Sequence, residues 1–107
     1  MHASRAGGAV RIEIRDFLSP SILERLSTQT GIVRPRIDDW RSMVDCVSID
    51  PRWDGSVFRV GLADLPARKS DLVSGRYEIP ADQCGDLVAV KIVDMLGEEV
   101  LEVLRIA

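Results

Sequence analysis

The chain has 107 residues, of which 46% are hydrophobic and 29% charged, with a formal net charge of −3. That is long enough for one domain with a buried core and too apolar for a disordered chain. A net negative balance excludes a nucleic-acid clamp that works through bulk positive charge.

In chain order, residues 1–9 are small and polar and contain Gly7-Gly8, which predicts a flexible lead-in to a single folded domain over 10–107. Nothing there is apolar enough for a signal peptide or a membrane span, so a cytoplasmic location and no membrane partner are expected. Val10, Ile12 and Ile14 alternate with Arg11, Glu13 and Arg15, the period-two pattern of a half-buried strand. Ser19 before Pro20 starts a short helix, supported by a Ser21/Glu24 capping box and an apolar set of Ile22, Leu23 and Leu26; Gly31 stops it. Residues 32–40 contain Pro35 and mixed charges and read as irregular. Residues 43–49 form an apolar strand with Cys46 in the core, ended by Asp50-Pro51. Asp54-Gly55 predicts a hairpin turn into a second strand over 57–65, with Phe58, Val60 and Leu62 on one face and Pro66 at its end. Leu72 and Val73 anchor the charged stretch that follows. Tyr77 and Ile79 mark a short strand closed by Pro80, and residues 81–86 form a loop.

The last segment is the clearest. Residues 87–106 predict a β-hairpin, with Val88, Val90 and Ile92 on one face, Lys91 on the other, and Gly97 supplying the positive φ of the turn. About six strands and one short helix give an all-β fold, an antiparallel immunoglobulin-like or fibronectin-like β-sandwich. The Cys–Trp–Cys spacing of a true immunoglobulin domain is absent.

Few residues suit catalysis. The single histidine is His2, which removes Ser–His and Cys–His schemes and histidine-rich zinc sites. No glycine-rich phosphate or dinucleotide motif occurs. No catalytic, cofactor-binding or metal-binding residue is therefore expected. Cys46 and Cys84 are too few for a disulfide framework; reduced thiols are expected, and whether they ever bridge stays open. Asp38, Asp39, Asp45, Asp50 and Asp54 cluster in sequence, but around a strand and its turn, where aspartates commonly cap backbone amides. Asp45 lies inside the apolar run and calls for an arginine partner there. Ser48-Ile49-Asp50-Pro51-Arg52-Trp53 resembles the Asp-Pro-Pro-Tyr tetrapeptide of amino-methylating DNA methyltransferases. Arg52 replaces the second proline, and the chain is too short for that catalytic domain. Arg34, Arg36 and Arg41 lie close together beside Trp40. They suit phosphate contacts with an aromatic neighbour, or a solvated face paired with Asp38 and Asp39.

Three segments taken together carry a wider resemblance: Ile14-Arg15-Asp16-Phe17-Leu18-Ser19-Pro20; Asp38-Asp39-Trp40-Arg41-Ser42-Met43-Val44-Asp45-Cys46; and Val88 through Val100, with Lys69 to Val73 and Tyr77-Glu78-Ile79-Pro80 between them. They resemble the C-terminal tail of bacterial site-specific adenine DNA methyltransferases of the restriction-modification type, over residues 10–106. The resemblance implies a parent enzyme that transfers a methyl group from S-adenosylmethionine to adenine N6. The family's catalytic and cofactor motifs match no position here, so this chain is expected to hold no cofactor and to have no activity alone.

Two functions follow as expectations. One is an accessory domain of such an enzyme, assisting domain packing, subunit contact or DNA holding, with Arg34, Arg36, Trp40 and Arg41 as DNA contacts. The other is a protein-interaction sandwich with no nucleic-acid role. Its candidate interface is Met95, Leu101 and Val103, which lie opposite the expected core face and suit docking onto a larger chain or a second copy.

Overall fold

A computed structural model describes residues 1–15, 41, 44–66 and 72–106. The expected helix over 19–26 and the segment 32–40 lie outside them. The described strands are β1 (His2–Ala6), β2 (Ala9–Glu13), β3 (Val44–Asp50), β4 (Leu62–Asp64), β5 (Arg76–Pro80), β6 (Leu87–Asp94) and β7 (Glu99–Arg105). They form a three-stranded sheet, β1-β2-β5, and a four-stranded sheet, β4-β3-β6-β7. Every pairing is antiparallel. The fold is an all-β sandwich. In immunoglobulin lettering the sheets run A-B-E and C′-C-F-G, the fibronectin-like variant in which the fourth strand joins the third rather than the fifth.

Alternation places the core between the sheets. Ala3, Val10, Ile12, Ile14, Tyr77 and Ile79 come from the first sheet and its margins. They meet Val44, Val47, Ile49, Val88, Val90 and Ile92 of the second in one buried cluster that also takes in Val73. Full burial of each Val or Ile is worth about 1.5–3 kcal/mol relative to exposure. Tyr77 also ties the sheets by a polar link. Its hydroxyl donates to Asp64 Oδ2 of β4 at 2.6 Å and accepts from the Gly75 amide at 3.2 Å.

Several expectations need correction. Residues 2–6 are not a lead-in but strand β1. Gly7 takes φ 64°, the positive value that a two-residue hairpin loop needs at its first position. The chain therefore turns back onto β2, and Ala3, opposite Ile12, is only 3% exposed. The strand expected over 57–65 is confined to Leu62–Asp64. The connection from β3 is a long loop, in which Asp54 Oδ1 accepts the amides of Ser56 at 2.8 Å and Val57 at 3.0 Å. Those amides are satisfied by a side chain rather than a ladder, and Val57 and Val60 are exposed.

Asp45 needs no buried partner. A register shift between Val44 and Cys46 inserts one extra residue. Val44 and Val47 can then both face the core while Asp45 is exposed. Cys46, next to inward-facing Val47, falls on the outer face by ordinary alternation rather than in the core, half-buried beside Val93.

Candidate interaction face

The C-terminal hairpin forms as its sequence indicates. β6 and β7 pair from Leu87↔Arg105 to Val93↔Glu99, and Gly97 takes φ 79° in the turn. Asp94 fixes that turn: fully buried, it accepts the amides of Leu96 at 2.9 Å and Glu98 at 3.0 Å through Oδ1. Directly opposed residues of an antiparallel pair share a face. Val88, Val90 and Ile92 point inward, so Leu87, Ala89, Lys91 and Val93 point outward with Arg105, Val103, Leu101 and Glu99 opposite them. Leu101 is 46% exposed and Val103 43%, and Met95 in the turn is 53% exposed. The three residues expected at an interface therefore all lie open at this hairpin, with Leu101 and Val103 side by side on the outer face of the four-stranded sheet.

The loop between β3 and β4 folds back toward the same face. The Trp53 amide donates to the Leu87 carbonyl at 3.1 Å, which seats the loop beside β6. Lys91 Nζ then lies 4.6 Å from the centroid of the Phe58 ring, a cation–π contact, and Trp53 packs tilted against Phe58 at 6.3 Å. Asp50 anchors the loop from below. Its buried carboxylate accepts the Arg52 amide at 3.0 Å and the Arg59 amide at 2.9 Å. The tetrapeptide-like Asp50-Pro51-Arg52-Trp53 is thus a folding staple whose acid is occupied by backbone. Arg52 reaches the carbonyls of Asp82 at 2.8 Å and Gln83 at 3.2 Å. Gly61 closes the loop: a Cβ there would stand 2.7 Å from Pro51 Cδ, so no larger residue fits without movement.

The opposite face of the sandwich has a different character. On the three-stranded sheet Arg11 lies between Ser4 and Glu78 in register and pairs with Glu78 at 3.0 Å; Arg15 pairs with Glu13 at 3.2 Å. That face is charged and carries two ion pairs of its own, whereas the outer hairpin face carries exposed Leu and Val.

Of the expected DNA-contact residues, Arg34, Arg36 and Trp40 lie outside the described residues. Arg41 is half-buried ahead of β3 and engaged in an interaction. Sequence reasoning assigns no binding role to Phe58, Trp53 or Lys91; a lysine between apolar residues on an otherwise apolar strand is the one signal for the contact they make. Neither thiol is an activated nucleophile. Burial, helped by Asp45, pushes Cys46 up, and burial pushes Cys84 up despite Arg5 and Arg52. Among the described residues no group of His, Cys, Asp and Glu is arranged to hold a metal ion, and no helix is long and apolar enough to cross a membrane.

In comparisons with known proteins, no family model, curated protein or solved structure matches the chain.

Proposed function

We propose that this chain is a non-catalytic docking domain of a larger DNA-modifying enzyme, which it contacts through the outer face of β6 and β7. The observation that carries the reading is the contrast between the two outer faces. One is charged and carries its own ion pairs, while the other exposes Leu101 and Val103, with Met95 in the adjoining turn. An apolar patch on an otherwise charged surface gains free energy when a partner removes it from water, at roughly 25 cal/mol per Å². The resemblance to the tail of adenine DNA methyltransferases supplies the partner: the catalytic part of a cytoplasmic, S-adenosylmethionine-dependent enzyme.

The test begins with the genetic locus, where methyltransferase sequence is expected in the same reading frame or beside it. That catalytic part, expressed separately, is expected to bind this chain in isothermal titration calorimetry. The affinity should be lost in the double substitution Leu101→Asp, Val103→Asp, with the circular dichroism spectrum unchanged. A locus with no methyltransferase sequence, or binding that survives the double substitution, overturns the proposal. Fluorescence titration with duplex DNA at low salt separates the DNA-holding version. Binding weakened by Arg36→Ala and Arg41→Ala supports it, and no binding removes it, leaving a purely protein-docking role.

A further inference from the structure

Strand β7 is the edge of its sheet: among the described residues no strand is hydrogen-bonded to its far side, although β1 of the other sheet approaches it. The direction of its backbone groups follows from the turn and the end of the hairpin. The Glu98 carbonyl accepts from Asp94 and the Ile106 amide donates to Asp86, so the even-numbered residues turn their polar groups toward β6. The odd-numbered residues, Glu99, Leu101, Val103 and Arg105, therefore present theirs at the open edge. Their side chains are also those of the outer face.

The strand reads Glu-Val-Leu-Glu-Val-Leu-Arg, and this order complements its own reverse. Laid antiparallel on a second copy with the two-fold axis at Glu102, it places Glu99 opposite Arg105, Leu101 opposite Val103 and Val100 opposite Leu104, each twice. Among the described residues neither Glu99 nor Arg105 belongs to an ion pair. Glu102 meets its own copy on the axis. It stands opposite Val90 on the inward-facing side of the strand, yet is exposed at the margin of the sandwich. A charge at that position is a common way of restraining edge-to-edge pairing.

We propose that β7 is a self-pairing edge. Two copies join through it into one continuous eight-stranded sheet in the register just given, and the facing Glu102 carboxylates keep the association weak and reversible. The four odd-numbered residues supply the ladder hydrogen bonds, the Glu99–Arg105 pairs fix the register, and Glu102 sets the affinity. Leu101 and Val103 take part in both, but this association uses their backbone groups and the charges of the strand, whereas the docking proposed above uses their apolar side chains, so either can fail without the other.

Sedimentation velocity across a concentration series, on the full chain, tests it. Wild type is expected to dimerise reversibly, and Glu102→Gln to tighten the dimer by about 3–10-fold, the scale of one relieved surface repulsion. Glu99→Arg alone sets arginine against arginine at both ends of the paired strands, and Arg105→Glu alone sets glutamate against glutamate there. Each is expected to weaken the dimer about ten-fold or more. A mixture of the two single variants restores attraction at both ends and is expected to form the heterodimer preferentially. That rescue also shows both variants to be folded. A sedimentation coefficient constant up to about 1 mM for both wild type and Glu102→Gln overturns the proposal. So does a dimer indifferent to Arg105→Glu, or a mixture no more associated than its parts.

Discussion

Removing the hydroxyl of Tyr77 probes the polar link between the sheets. Tyr77 is 7% exposed, and the ring of Tyr77→Phe fills the same space, so packing is conserved. Two hydrogen bonds disappear: the one donated to Asp64 Oδ2 at 2.6 Å and the one accepted from the Gly75 amide at 3.2 Å. A bond to a charged group is worth about 1.5–3 kcal/mol net, and a buried amide left without an acceptor costs about 1–3 kcal/mol. Asp64 Oδ2 keeps the Ser74 amide at 2.7 Å, so the carboxylate is not orphaned and the losses do not add in full. The expected destabilisation is about 2–4 kcal/mol, or roughly 10–20 °C in Tm for a domain of this size. Urea unfolding followed by tryptophan fluorescence measures it, with an unchanged m value showing that the same surface is exposed. A double-mutant cycle with Asp64→Ala should give a coupling above about 1 kcal/mol. A loss below about 0.5 kcal/mol, or additive effects in the cycle, would refute the link.

Asp94→Ala frees two amides of the hairpin turn and should cost about 2–4 kcal/mol. Asp94→Asn keeps an acceptor oxygen, and its midpoint in the same urea assay should fall between wild type and alanine. Gly61→Ala sets a methyl group 2.7 Å from Pro51 Cδ and should lose about 1–3 kcal/mol by thermal melting. At low pH the Asp54 turn weakens. The hydrogen bond from Arg59, then the amides of Val57 and Ser56, hold its carboxyl at about 2 against an ordinary 3.8. A lowered folded value means the contribution is present above pH 3.8 and lost as pH falls through about 2. The Tm advantage of wild type over Asp54→Ala should accordingly shrink across that window. At high pH the sign reverses for Tyr77, whose phenol is pushed above its ordinary value of 10.0 first by burial and then by the bond to Asp64. Its contribution is whole below pH 10.0 and falls as pH rises beyond it. As the chain's single tyrosine, it should show no tyrosinate absorbance at pH 10.0 while the protein stays folded.

Alternation makes the core strands legible. Val10, Ile12 and Ile14 in and after β2, Tyr77 and Ile79 in β5, and Val88, Val90 and Ile92 in β6 all point where period two places them, because each strand buries one face against the other sheet. The exposure of Met95, Leu101 and Val103 is legible for a related reason: apolar side chains at the turn and at outward positions of a paired strand stay exposed. Local chemistry that breaks period two is not legible. The bulge at Val44–Cys46 reverses the expected side of Asp45, and nothing in the residues themselves marks that extra position. Asp54-Gly55 does turn the chain, but Asp54 and Asp50 spend their carboxylates on loop amides, so the hairpin expected there opens into a loop. Gly7-Gly8 suggests flexibility by composition, yet one positive φ suffices to pair β1 with β2. A short, small-residue strand gains its order from the sheet it joins, not from its own propensity.

The acidic composition has the same origin. Asp50, Asp54, Asp64 and Asp94 each accept at least one backbone amide beyond their own strand ladder, and the loops they hold join successive strands of the sandwich. A carboxylate committed to backbone donors has its lone pairs directed at fixed N–H groups. It offers poor geometry to a substrate proton or a hard cation, both of which need an open acceptor. Of the aspartates that make a catalytic cluster conceivable in sequence, Asp50 and Asp54 are fasteners of a scaffold, while Asp45 stands exposed on β3. With Asp50, Asp54 and Asp94 so committed, the outer face of the four-stranded sheet carries, among the described residues, exposed apolar area, the Lys91–Phe58 contact and the edge of β7, the features on which the proposed docking rests.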